Sequence, residues 1–188
     1  MKQMFCPKCK SKDIQMCIPN AWSASLGLHP GWKCNKCGFE LPEFPESQRK
    51  MKIIFICKYN AFRSRVAEEY FKKINKNSKI ETLSRGFIMG GNSDKEQRKI
   101  SKEILGINIA KRKPLPIKIN ELKEADLIVV VANDIPKIMF NYSLAPLYKK
   151  LIIWKIKDEQ KRNKSNINKI VLSIKERVEN LNETLEKK

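Results

Sequence analysis

The chain has 188 residues, 41% hydrophobic and 31% charged, with a formal net charge of +19. That composition fits one ordinary globular domain with a small appendage. No apolar run approaches the ~18 to 20 residues that span a bilayer, so no membrane insertion is expected. The opening residues Met1 to Cys9 lack the apolar core of a secretory signal, which predicts a cytoplasmic chain. Of the charge, +4 lies in residues 1–50 and +15 in residues 51–188, where 31 basic residues face 16 acidic ones. So basic a surface attracts polyanions and leaves nucleic acid and phosphorylated substrates open as partners. The basic residues are dispersed, which favours a lysine-rich composition over a dedicated polyanion face.

The first fifty residues are organised by cysteine. Cys6-Pro7-Lys8-Cys9 and Cys34-Asn35-Lys36-Cys37 are two C-x-x-C turns, each able to present two thiolates to one tetrahedral ion. The pattern resembles a zinc ribbon and predicts a structural Zn²⁺ held by Cys6, Cys9, Cys34 and Cys37 over a domain of residues 1–44. A rubredoxin-like iron site and a pair of disulfides are the alternatives. With four cysteine ligands no position is open for catalysis, and metal binding would supply much of the folding free energy of so short a segment. Trp22, Leu26, Leu28, His29 and Trp32 are expected to form its small core, and the lone Cys17 to be a buried apolar residue. Residues 45–51, with Pro45 and no apolar period, read as a linker.

From residue 52 strand-like and helix-like patterns alternate. Strands are predicted at Lys52–Cys57, Lys79–Ser84, Asp126–Val131 and Leu151–Ile156; the run Leu127-Ile128-Val129-Val130-Val131 suits burial on both faces. Helices are predicted over 62–75, 94–105, 135–140 and 166–185, the last from apolar residues three and four apart. This alternation implies an α/β domain at 52–188, a parallel four-stranded sheet with helices on both faces.

The chemistry concentrates where the first of those strands meets its helix. Cys57, Lys58, Tyr59, Asn60, Ala61, Phe62, Arg63 and Ser64 place a thiol, five intervening residues, an arginine and a hydroxyl at a strand's carboxyl end, where open sheets bind ligands. Backbone N–H groups of residues 58–63 and the helix N-terminus can surround an oxyanion. The same groups, with Arg63 and Ser64, stabilise a thiolate, which a cysteine nucleophile needs at neutral pH.

The arrangement resembles the low-molecular-weight protein tyrosine phosphatases over residues 52–188. That resemblance implies a phosphatase acting on phosphomonoesters of a phosphorylated protein or a small aryl phosphate through a phosphocysteine. Cys57 would be the nucleophile, Arg63 the phosphate binder, Ser64 the support of the leaving thiolate and Asn60 the brace of the loop. Ser84-Arg85-Gly86 matches the family's Ser-x-Gly. Asp158, just after the last strand, would be the general acid, with Asp134 the second candidate and more like a supporting aspartate. No cofactor is implied for catalysis. Tyr59 stands for a family glycine, Phe62 for a second cysteine, Arg65 for a proline and Glu159 for the proline after the acid, and the tyrosines that often wall the family's substrate pocket are missing from Gln160-Lys161-Arg162. Arsenate reductases share the fold; residues 58–188 contain no cysteine for an internal relay, which leaves a version using an external thiol. A nucleic-acid-binding adaptor with a vestigial phosphatase domain is the alternative from another class.

Overall fold

A computed structural model describes residues 2–18, 30–110, 112–140, 142–159 and 162–187. The chain forms two compact units, residues 1–50 and 51–188.

In the first unit β1 (Lys2–Met4) pairs antiparallel with β5 (Glu46–Gln48), while β2 (Ile14–Cys17), β3 (Gly31–Cys34) and β4 (Glu40–Leu41) form a three-stranded sheet. Residues 46–48, read from sequence as linker, are thus strand; their pairing with the chain's start is a long-range contact that a search for local apolar periodicity does not detect. The two cysteine turns close alike. The N–H of Lys10 donates to the Cys6 carbonyl and that of Gly38 to the Cys34 carbonyl, both at 2.8 Å. Lys10 and Gly38 both lie in the left-handed region, with φ of 60° and 70°. Around them Cys6, Cys34 and Phe44 are buried, with Ile14, Trp32, Phe39 and Leu41 packed against them. Of the expected core, Trp32 is half-buried here, and Trp22, Leu26, Leu28 and His29 lie outside the described residues. Cys17 is half-buried at the end of β2, not enclosed as expected.

The second unit is a parallel sheet in the order β7-β6-β8-β9, formed by β6 (Met51–Cys57), β7 (Ile80–Gly86), β8 (Leu127–Val131) and β9 (Leu151–Trp154). Its helices are α1 (Arg63–Ile74), α2 (Lys95–Leu105), α3 (Ile119–Glu124) and α4 (Lys164–Glu186). The two-residue period of a strand sorts the apolar side chains. Ile53, Phe55, Val129, Val131 and Trp154 face one layer, with Val66 and Phe71 of α1, Ile100 and Leu105 of α2, and Ile167, Val171, Ile174 and Val178 of α4. Ile54, Ile56, Ile128 and Val130 face the other, beneath Leu122 of α3, Phe140 and Leu147.

That second layer departs from expectation. The helix predicted at 135–140 is a 3-10 turn, Lys137–Met139, followed by a longer 3-10 segment, Tyr142–Lys150. Pro136 and Pro146 explain both, since proline lacks the N–H that an α-helical ladder needs. The six residues of α3 hold only Ile119 and Leu122 as apolar positions, too few to show a period. Among the described residues no helix is long and apolar enough to cross a membrane.

Candidate active site and metal centre

Central strand β6 ends at Cys57, and α1 begins six residues later at Arg63, so the loop between them sits at the carboxyl edge of the sheet. Two features leave that loop rich in unused donors. Among the described residues, no backbone N–H from Lys58 to Phe62 donates a hydrogen bond. Helix α1 has no side-chain cap at Phe62 and no acidic residue in its first turn, so its N-terminal N–H groups and positive end stay available to an anion.

The loop's shape is held from behind by Asn60, fully buried and left-handed at φ 53°. Its Nδ2 donates to Ser64 Oγ at 3.0 Å and Ser84 Oγ at 2.8 Å, and its Oδ1 accepts from the Leu115 N–H at 3.1 Å. Ser64 Oγ lies 3.1 Å from Cys57 Sγ. Ser84 Oγ in turn donates to Glu68 Oε2 at 2.6 Å, and Glu68 is buried against Arg112, with Lys72 at 2.6 Å. Sequence reasoning found Asn60 and Ser84 but not Glu68 or Arg112. Their signal is a carboxylate on the inner face of α1, visible only once that face is known.

Tyr59, where the family has glycine, fits because two glycines stand beside it. A Cβ on Gly86 would lie 2.6 Å from the Ile88 carbonyl oxygen and 2.8 Å from the carbonyl carbon of Tyr59, and a Cβ on Gly90 would collide with Cβ of Tyr59. Gly86→Ala is expected to cost about 1–3 kcal/mol of stability, as overpacking does, measured by urea unfolding; an unchanged midpoint would show that the loop yields freely. Phe62, in place of a cysteine, is 3% exposed and belongs to the α1-side core.

Arg63 is 2% exposed and held by three acceptors: Nη1 donates to Asp134 Oδ1 at 3.1 Å and to the Ile156 carbonyl at 2.9 Å, and Nη2 pairs with Asp158 Oδ2 at 3.2 Å. The structure therefore brings Cys57, Arg63, Ser64, Asp134 and Asp158 together from the ends of β6, β8 and β9. The opening above them is a cleft of about 270 Å³ lined by Cys57, Tyr59, Ala61, Phe62, Arg63 and Asp158. Asn92, Asp94, Gln97, Glu159 and Arg162 complete it. Arg162 pairs with Asp94 at 3.0 Å across the rim.

In the first unit Cys6, Cys9, Cys34 and Cys37 converge, their sulfurs within 4.8 Å of one another, with Cys6 to Cys37 at 3.6 Å and Cys9 to Cys34 at 3.5 Å. A tetrahedral zinc at about 2.3 Å from each thiolate requires sulfurs about 3.8 Å apart, so the four residues fit such an ion. The crowding shows in the ionisation of Cys34 and Cys37. Burial opposes that of Cys34, yet the Cys37 N–H, the Cys9 thiol and the Lys36 N–H bring its thiol down to about 7. The Phe39 N–H works to lower Cys37, but burial and the neighbouring sulfurs push it up to about 12.

A parallel α/β unit carrying a thiol at a strand's end, a donor-rich loop and a buried arginine defines the class of cysteine-dependent phosphoryl-handling enzymes. The particular family follows from comparison. Residues 52–188 match the family model for low molecular weight phosphotyrosine protein phosphatase. The chain belongs to that family of cysteine-dependent phosphatases. Among solved structures it is similar to the low molecular weight protein tyrosine phosphatase of T. tengcongensis, at 22% identity and a TM-score of 0.62, covering 72% of this chain and 99% of that one. It is similar to the YwlE arginine phosphatase of Geobacillus stearothermophilus at 16% identity and a TM-score of 0.63, covering 73% and 94%. An arsenate reductase of Archaeoglobus fulgidus is similar at 23% identity and a TM-score of 0.54, covering 69% and 98%. No curated relative matches the chain.

Proposed function

We propose that the chain is a phosphatase that hydrolyses phosphomonoesters, carried by a phosphorylated protein or a small aryl compound, through a phosphocysteine. The observation that carries this is the convergence of Cys57, Arg63 and Asp158 on one cleft beside a run of unoccupied loop N–H groups. Cys57 Sγ attacks phosphorus; the bond from phosphorus to the leaving oxygen breaks, and that oxygen takes its proton from Asp158. Arg63 and the N–H groups of residues 58–63 hold the equatorial oxygens, a planar two-pronged donor and a ring of dipoles aimed at one dianion. Water then attacks the phosphocysteine, giving its proton to Asp158 while the P–S bond breaks to return the thiolate. Ser64 Oγ, 3.1 Å from Sγ, is placed to stabilise that thiolate.

Before substrate binds, Asp158 and Asp134 occupy both edges of the Arg63 guanidinium. A phosphate dianion in the loop competes for Nη2, which frees Asp158 for proton transfer. Asp134 stays on Nη1 as the residue that orients the arginine. The test is turnover of p-nitrophenyl phosphate by the purified chain. Lack of turnover, together with reduction of arsenate at the expense of an added thiol, would replace phosphatase by reductase.

The four-cysteine cluster holds a structural zinc ion in this proposal, with Cys6, Cys9, Cys34 and Cys37 as ligands and no part in catalysis. Metal analysis is expected to find one zinc per chain. Cys34→Ser is expected to reduce that content and the structure of the first unit, followed by circular dichroism. Full structure without bound metal would leave the thiols to some other role.

A further inference from the structure

Beside the catalytic cleft lies a second cavity of about 240 Å³ lined by Arg65, Asn92, Ser93, Arg98, Arg112 and Lys113, with Ala110. Four of these residues are cationic and none is acidic. Asn92 lines this cavity and the cleft alike, so the two adjoin. The charge is only partly compensated from within. Arg112 pairs with buried Glu68, a carboxylate that also serves Lys72. Arg65, 2% exposed, donates to the Arg112 carbonyl, and burial together with the neighbouring Arg112 charge draws its guanidinium below the ordinary value. Arg98 and Lys113 have no ion pair among the described residues. The two carboxylates that precede Arg98 at the start of α2 are engaged elsewhere, Asp94 by Arg162 and Glu96 by Lys164.

Such a concentration of cations is costly to hold together without an anion, since like charges at close range repel strongly in a partly desolvated site. Three arginines and a lysine lining a cavity of this size match a phosphate, which accepts paired N–H bonds. Resting on the phosphatase reading, we infer that this cavity binds a second phosphate group of the same substrate, so that bisphosphorylated substrates are preferred over monophosphates. The dispersed basic composition thereby acquires one local purpose. Arg65, standing where the family has a proline, supplies part of the cavity wall.

Two peptides test this, identical except that one carries a phosphotyrosine alone and the other a phosphotyrosine and a phosphoserine two residues away. Binding is measured by calorimetry on the Cys57→Ser chain, which needs no turnover, and kcat/KM on the active chain. The second phosphate is expected to tighten binding about tenfold, the scale of one charge-assisted hydrogen bond, and to raise kcat/KM in step. Adding Arg98→Ala with Lys113→Ala should erase that gain and leave p-nitrophenyl phosphate turnover unchanged. Removing the same charge from α4 and its C-cap, by Lys169→Ala with Lys187→Ala, should leave the gain in place. Equal affinity for both peptides overturns the second site, as does a gain that persists in the Arg98 and Lys113 variant or that vanishes equally in the α4 variant. Differential binding to the Cys57→Ser chain without any turnover by the active chain would uphold the site and remove the phosphatase instead.

Discussion

Replacing Cys57 by serine is expected to lower turnover of p-nitrophenyl phosphate by roughly 10⁶-fold, the scale on which a covalent hydrolase depends on its nucleophile. The reason is local. A serine hydroxyl would sit at the same strand end and within reach of Ser64 Oγ, but it is a far weaker nucleophile than a thiolate and a poorer leaving group when water attacks the phosphoenzyme. The fold should survive, because Cys57 contributes only one sulfur's worth of apolar surface to the layer formed by Ile54, Ile56, Ile128 and Val130. Unfolding midpoint and kinetics measured on the same preparation separate the two effects. Turnover near the parent rate in a folded Cys57→Ser chain would sink the phosphocysteine route, since no other cysteine follows in residues 58–188.

Asp158→Asn is expected to lower kcat by about 10²- to 10⁴-fold on a phenyl phosphate whose leaving group needs a proton. The deficit should shrink along a series of aryl phosphates with increasingly acidic phenols, because a good leaving group departs without help. Asp134→Asn should behave differently. It weakens the pairing with Arg63 Nη1 but leaves that nitrogen its bond to the Ile156 carbonyl, so its smaller loss should not depend on the leaving group. If the leaving-group dependence appears in the Asp134 variant and not in the Asp158 variant, the acid has been assigned to the wrong carboxylate. The two carboxylates stand about equally close to Arg63, at 3.1 and 3.2 Å, and their separate nitrogens are what set the two variants apart.

Much of the site was legible because its chemistry is contiguous. Cys57 to Ser64 is one strand-to-helix loop, and the proposed nucleophile, the loop N–H groups and the arginine all fall within eight residues. Asp158 could be located at a distance because β9 is a short apolar run with the carboxylate just beyond it. The network behind the loop was not legible. Glu68 looks from sequence like one more charged helix residue, and nothing in a one-dimensional pattern says that it is buried between Ser84 and Arg112. Of the misread pieces, one shares that cause and one does not. Residues 46–48 become a strand only by pairing with residues 2–4, whereas the helix expected at 135–140 is a 3-10 turn because Pro136, plain in the sequence, weighs more than the apolar content around it.

By itself, then, the sequence determined the two cysteine turns, the alternation that makes a parallel sheet, and the position of a thiol loop at the end of its central strand. These depend on local spacing and on the two periods of strand and helix. Only the tertiary structure decided that Asp134 and Asp158 share Arg63, that Gly86 and Gly90 make room for Tyr59, and that Arg65, Arg98, Arg112 and Lys113 gather at one cavity. Each of those depends on chain segments separated by tens of residues being brought side by side by sheet register and helix packing, which residue spacing along the chain does not encode.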